Sequence, residues 1–431
     1  MTTTLSLLRQ KVSEITGSWK SGTLTTSHVS APADTSLADN VNNAFLDWYL
    51  MITGGSYPAT RKLSAFTQSG GVMTPYTNLA TAPGLVTYEL HRDDPSKITT
   101  DLNRAVRELY PSLFVPIIDE FSLITNNILP NSLPADWVSS SAPDKWTVTG
   151  LTATQETTAA NLRVGTSGLK MVSAGSDQTV MCTNSGNKYL SNLAGRSITL
   201  KAWVYASAAS KVALRLYDTA QTLSSYHTGD SKWHLLTITE TLAQDATNVS
   251  LAFGYYVATT TITAYAQQMR ITDCSVRKYL LPTSFKDVQQ VFMQISGGTD
   301  YTADSGLAMC DAVGQVDWQR MYGWYVEDDG TDKWLVFPYD LPSERRLKVK
   351  GSKYLTALSS ETGTVEADEP VVSMIVAYAA GLRFRQIKAT VNSQDYKRYQ
   401  DLALEHFAIA ENLRRKYGMR LPSASLRTPQ W

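Results

Sequence analysis

The stretch SITLKAWVYA, residues 197–206, decides how this chain is read. Polar and apolar residues alternate along it, and a period of two marks a β-strand with one face buried. The pattern returns in KVALRLYD (211–218), WHLLTITET (233–241), NVSLAFGYY (248–256) and ITAYAQQMRITDCSV (262–276), with polar turns between. The surrounding residues are rich in Thr, Ser, Ala and Gly and show almost no helical periodicity. Strands of this length imply a two-sheet antiparallel sandwich. Two proline-punctuated segments, ILPNSLPADW (128–137) and LLPTSF (280–285), bound it. The expected organisation is therefore a sandwich over 131–282 inserted into a host made of 1–130 and 283–431.

The host mixes short helices and strands. LSLLRQKVSEITG (5–17) spaces Leu5, Leu8, Val12 and Ile15 at three and four residues, and Gly17 stops that helix. From Asn43 to His91, short β-prone runs separated by the turns GGSYPA and QSGG predict a small meander or barrel. A second helix follows, with Thr100 as its cap, Asp101 at its positive end, an apolar face of Ile98, Leu102, Ala105, Val106 and Leu109, and Pro111 as its stop. WYVEDDGTDKWLVFP (324–338) predicts a hairpin with Asp329 and Gly330 in its loop, and RRLKVKGSKYLTAL (345–358) adds strand. Pro370 opens a helix that is apolar nearly all round over 371–382, as a helix buried between neighbours would be. A last helix runs from Ser393 to about Tyr417, with Leu402, Ile409 and Leu413 on its apolar side.

Composition narrows the function. Charged residues are 18% of the chain and sum to zero, which gives no electrostatic signature of a free nucleic-acid binder. Three cysteines without a CxxC pair argue against a disulfide framework or a zinc cage and fit a reducing cytoplasm. No basic segment followed by an apolar run opens the chain, so no signal peptide is expected. The apolar run VVSMIVAYAAGL (371–382) is shorter than the roughly 20 residues a membrane span needs, so a soluble protein without a membrane partner is expected.

No pattern for chemistry emerges. His28, His91, His227, His234 and His406 accompany no nucleophile elbow and no HExxH, and no phosphate-binding glycine loop is present. EDDGTD (327–332) lacks the order of a calcium loop and reads as a hairpin turn. Asp177, Asp218, Asp230, Asp245 and Asp273 offer carboxylates, but nothing pairs two at a working separation. The expectation is a protein with no catalytic residues, metal or cofactor. Trp203 and Trp233 lie inside alternating strands and read as core. Tyr255 and Tyr256 are adjacent, so one faces outward, and with Tyr226 and His227 in a loop they are candidate glycan contacts. Beyond residue 370, ten Lys or Arg stand against four Asp or Glu, a net of +6, so the rest of a neutral chain carries −6. Such polarity suits head-to-tail subunit contacts or an acidic partner.

The N-terminal helix, WYLMITGGSYPATRKLSAF, LVTYELHR and LNRAVRELYP together resemble the opening of head-to-tail connector (adaptor) proteins from the necks of tailed bacteriophages. RRLKVKGSKYLTALSSETGTVEADEPVVSMIVAYAAGLRFRQ and YGMRLP resemble the close of the same family. The likeness spans both flanks. It implies a structural virion protein that is not an enzyme, made in the host cytoplasm and assembled as a ring, usually of twelve copies, under the portal. Its partners would be further copies of itself, the portal protein and the next neck or tail component. Packaged DNA would pass through without sequence-specific binding. Arg414, Arg415, Lys416, Arg420, Arg427 and Trp431 would then lie at the portal or ring contact. The middle segment departs from that family and resembles carbohydrate-binding jelly-roll modules. The combined expectation is an α+β chain: a helical bundle with small β-meander or barrel elements, plus an inserted antiparallel, jelly-roll-like β-sandwich. The alternative function is a neck or tail decoration protein that grips host-surface glycan through the sandwich.

Overall fold

The computed structural model describes residues 3–17, 19–54, 59–173, 175, 177–183, 190–246, 249–255, 261–272, 275–295, 318–361, 363–389 and 393–419. The chain divides into two compact units, with breaks after Val115 and after Lys353. Antiparallel sheet dominates, with 38% strand against 22% helix. The expectation of a helical bundle as the main architecture is not met. Four α-helices occur among the described residues: α1 (Leu5–Thr16), α2 (Pro95–Glu108), α3 (Val371–Lys388) and α4 (Ser393–Tyr417).

All four helices belong to the first unit, beside a five-stranded antiparallel sheet. Its strand order is Trp19–Thr23, Thr87–His91, Tyr49–Ile52, Ala59–Thr67, Val72–Pro75. Leu50, Ile52, Leu63, Phe66, Tyr88 and Leu90 build the core on one face of this sheet. The QSGG turn works because Gly71 has φ +61° and sits so close to Asp34 that an added Cβ would lie 1.9 Å from its carbonyl oxygen.

Alternation along Thr87–His91 turns Glu89 and His91 away from that core and towards α1. Arg9 of α1 is fully buried there. Its Nε donates to Glu89 Oε2 at 2.9 Å, and Nη1 donates to Glu361 Oε1 at 3.2 Å. His91 Nε2 lies 2.7 Å from Glu89, and Ser13 Oγ lies 2.8 Å from His91 Nδ1. Burial opposes the charge on Glu89, but the His91 hydrogen bond and the Arg9 charge outweigh it and hold the carboxyl below its usual range.

The helices pack on α3, whose Val372, Met374, Ile375, Val376 and Ala379 are buried together with Leu5, Leu8 and Val12 of α1 and Ile98, Leu102 and Val106 of α2. Gly381 lets α4 approach, since a Cβ there would lie 3.0 Å from the Phe407 ring. The apolar faces of α1 and α3 are thus covered within one copy of the chain. Ile15 and Ile409, assigned to apolar stripes on spacing, are instead 37% and 39% exposed. The cap of α2 is Asp94, whose Oδ1 accepts the Ser96 N–H at 3.0 Å. Thr100 is mid-helix and donates to Ser96 O, because Pro95 already supplies the first helical residue.

Asp101 is correspondingly not at a helix end. It is buried, accepts one hydrogen bond from Gln386 Nε2 at 2.5 Å, and leaves Oδ2 with no partner among the described residues. Burial pushes its carboxyl up to about 6, against the pull of Arg383.

The second unit holds the sandwich and a smaller β module. The sandwich strands are β1 (Thr147–Thr149), β2 (Thr152–Glu156), β3 (Gly168–Ser173), β4 (Gln178–Cys182), β5 (Ser197–Ala206), β6 (Val212–Tyr217), β7 (Gln221–Leu223), β8 (Trp233–Thr241), β9 (Ser250–Tyr255) and β10 (Ile262–Thr272). They form two five-stranded sheets, β1-β4-β9-β6-β7 and β2-β3-β10-β5-β8, in which every pairing is antiparallel. The chain changes sheet repeatedly, as a jelly roll does. Ile198, Leu200, Ala202, Val204 and Ala206 of β5 enter the core between the sheets. In the smaller module, the predicted hairpin pairs Tyr325–Asp328 with Lys333–Val336, and Gly330 takes φ +87° in its turn.

Removing the Arg9 cation strands Glu89 in a buried place, so Arg9→Met should cost about 3–5 kcal/mol, read as loss of amide protection confined to the first unit. Because the Glu89 pKa is lowered on folding, its contribution is present above the ordinary glutamate value and fades as pH falls through the folded one. Asp101 has the opposite sign. It stays protonated in the fold to about 6 and ionises earlier when unfolded, so it subtracts stability as pH rises between those values. The melting temperature of Asp101→Asn should therefore drop less than that of the parent between pH 4 and pH 7.

Candidate glycan-binding face of the sandwich

Every residue of β5 that enters the core leaves its neighbour on the outer face of the same sheet. Tyr205 is directly opposite Trp233 of β8 and Tyr265 of β10, Tyr265 is opposite Lys170 of β3, and Lys170 is opposite Thr154 of β2. Directly opposed residues share a face. The five therefore form a row across the whole sheet, Trp233–Tyr205–Tyr265–Lys170–Thr154, on the side away from the core. All five are half-buried. Ring centroids are 5.9 Å apart for Trp233 and Tyr205 and 5.6 Å apart for Tyr205 and Tyr265. The rings meet at interplanar angles of 57° and 65°, so they make a corrugated strip rather than a flat plate.

Polar groups complete the strip. Burial, with the Glu156 and Tyr205 charges, raises the Tyr265 phenol, which stays neutral and able to donate a hydrogen bond. The Lys170 ammonium has no ion pair or hydrogen bond among the described residues. Burial works against the Glu156 charge, but hydrogen bonds from Thr158 and from Asn161 Nδ2 at 3.2 Å outweigh it and keep the carboxyl below its ordinary range.

The middle of this face is covered. Gln267 Oε1 accepts the N–H groups of Arg163 and Val164 at 2.8 and 3.1 Å, and its Nε2 donates to Val164 O and Ser167 O. This holds residues 163–167 over the sheet and lays the Arg163 guanidinium 3.5 Å above the Trp203 ring. Trp203 is 5% exposed in consequence. Further along, Lys201 Nζ lies 2.9 Å from Glu344 of the smaller module, and the buried Arg270 reaches the same carboxylate at 3.7 Å. The aromatic row at the Tyr205 end stays half-open, and Ser197, Thr237, Thr239 and Thr241 are exposed at the opposite end of the face.

Both tryptophans were expected in the core. Neither is there: Trp203 is buried on the outer face and Trp233 is half-open on it. Tyr205, Tyr265 and Lys170 were not singled out from sequence, although their alternation with apolar residues is visible in it. Of the residues that were, Tyr226 is half-buried in the loop before β8. His227 is 1% exposed. Its Nδ1 accepts the Gly229 N–H at 2.8 Å, so Nε2 carries the proton towards Lys232 O at 3.0 Å, and burial lowers its pKa. No nitrogen of this ring is left for a ligand. Tyr255 closes β9, and Tyr256 lies outside the described residues.

One trio among the described residues, His227, Asp230 and His234, brings potential metal-ligating atoms within 4.8 Å of one another. The His227 hydrogen bonds leave it two usable members, Asp230 and His234, which already bond to each other at 2.8 Å. That donor set does not fit a structural zinc, which takes four ligands, or a calcium, which takes six to eight oxygens. Of the six residues assigned to a portal or ring contact, Arg414 donates to Ser112 Oγ at 2.7 Å, Arg415 reaches Glu411 at 3.3 Å, and Lys416 lies over the Tyr417 ring. Arg420, Arg427 and Trp431 lie outside the described residues.

No protein-family model and no curated protein matches this chain. Among solved structures, it is similar to TmCBM61, determined in complex with beta-1,4-galactotriose, at 11% identity over 34% of this chain and 98% of that one, with a TM-score of 0.25. It is similar to the C-terminal family 22 carbohydrate-binding module of Clostridium thermocellum Xyn10B at 12% identity, over 34% of this chain and 94% of that one, with a TM-score of 0.27. It is also similar to the enzymatically active domain of bacteriophage CBA120 tailspike protein 4 at 11% identity and a TM-score of 0.26, over 34% of this chain and 21% of the tailspike chain.

Proposed function

We propose that the sandwich is a saccharide-binding module and that this chain attaches to a glycan without cleaving it. The observation that carries this reading is the half-open row Trp233–Tyr205–Tyr265 in cross-strand register. The apolar C–H face of a sugar ring packs on an aromatic side chain, while its hydroxyls turn to polar neighbours. Tyr265 and Lys170 supply such neighbours at one end of the row. Steps of 5.9 and 5.6 Å suit successive units of an extended glycan. Retaining and inverting hydrolysis both need two carboxyl groups flanking the bond. Among the described residues beside the row, Glu156 is committed to Thr158 and Asn161.

A glycan array followed by calorimetry on the best ligand tests this. Trp233→Ala and Tyr205→Ala should each weaken binding about tenfold or more, as loss of an aromatic anchor does. Trp203→Ala should lower stability. Unchanged affinity in both row variants would end the proposal.

A second reading keeps the ring-forming neck connector, with further copies of the chain, the portal and a tail component as partners and the virion neck as its location. It is supported by α4, whose Leu404 is 60% exposed while Tyr399, His406 and Phe407 of the same helix meet Tyr378 and Phe384 of α3. Light-scattering mass should then show an assembly of many copies that Leu404→Asp breaks to monomers. A parent protein that stays monomeric, both alone and when mixed with portal rings, would count against this reading.

A further inference from the structure

A cavity of about 410 Å³ lies within the second unit, between the sandwich and the hairpin of the smaller module. That volume is in the range of about 300–1,000 Å³ typical of small-molecule sites. Ile128, Leu129, Leu193 and Val276 give it an apolar wall.

The charged groups around it are nearly all committed. Lys145 pairs with Asp332 at 2.8 Å. Asp329 accepts the N–H groups of Thr331 and Asp332 through Oδ1 and the Trp334 indole N–H through Oδ2. Arg277 pairs with Asp340 at 2.9 Å, and Lys278 pairs with Glu327. The exception is Arg196, whose guanidinium has no ion pair or hydrogen bond among the described residues. Its main chain is nonetheless fixed. Its N–H donates to Leu193 O at 3.0 Å, its carbonyl accepts the Leu242 N–H at 3.0 Å, and Gly195 before it takes φ +73°. An exposed arginine thus stands among both apolar and polar lining residues, where Lys145, Arg277 and Lys278 are paired with carboxylates and Asp329 is engaged by N–H donors.

We infer that this cavity binds a small organic carboxylate with an apolar body. Arg196 receives the carboxylate, since a guanidinium fork matches two carboxylate oxygens, and the apolar wall takes the rest. A sugar acid fits less well, because its hydroxyls would leave water for polar groups already engaged. The site is separate from the aromatic row and does not depend on it.

Calorimetry on the full chain with octanoate, 1-octanol and glucuronate tests the inference. Octanoate should bind at one saturable site, with octanol and glucuronate at least about tenfold weaker. Arg196→Ala should reduce octanoate affinity about tenfold, a change of about 1.4 kcal/mol, and Arg196→Lys should retain part of it. Trp233→Ala should leave octanoate binding unchanged, which separates failure here from failure of the glycan reading. Absence of octanoate binding, octanol binding as tight as octanoate, glucuronate binding as tight as octanoate, or an unaffected Arg196→Ala variant would each overturn it.

Discussion

A pleated strand cannot hide all of its side chains in one core, and the candidate site depends on that constraint. In β5 the even-numbered residues Ile198 to Ala206 fill the space between the two sheets. The odd-numbered residues then have to be dealt with on the other side. The chain does so in three ways along one strand. Lys201 is neutralised by Glu344, Trp203 is roofed by Arg163, and Tyr205 is left half-open between two further aromatic rings. The same covalent pattern thus produces a salt-linked contact, a buried platform and a half-open aromatic row within five residues.

What separates Trp203 from Tyr205 is a single amide. Gln267 carries four hydrogen bonds to residues 163–167, and that segment decides where the cover stops. A buried amide with its acceptor and donors satisfied is a stiff clamp, because each lost bond would leave a polar group stranded away from water. The edge of the open face is therefore set by a rigid element, which a site that must pre-arrange its contacts requires.

The first unit solves a different problem with the same kind of bonding. A fully buried arginine is costly unless it is paired, and Arg9 is paired twice, with Glu89 from the sheet and Glu361 from a distant loop. These contacts register α1 against the sheet and bring its apolar stripe onto α2 and α3. The apolar helix faces that suggested assembly are consequently satisfied inside one copy. Exposed hydrophobic residues remain on α1, at Leu7 and Ile15, and on α4, where spacing had placed Ile409 in the interior.

The sequence made the two-sheet sandwich, the 324–338 hairpin and the terminal helices legible, because alternation, turn residues and caps act over a few neighbours. It also placed Trp203, Tyr205, Trp233 and Tyr265 in strands. It did not determine which of them meets solvent. That depends on cross-strand register and on cover from residues remote in the chain, so both tryptophans looked like core. Asp101 shows the same limit: its position suggested a helix end, and only the prior start at Pro95 and the packing of α3 made it a buried acid. The cavity at Arg196 was likewise illegible, since its walls come from segments more than a hundred residues apart. Local periodicity specifies which elements form, whereas exposure, pKa and concavity arise from contacts that only the tertiary structure brings into being.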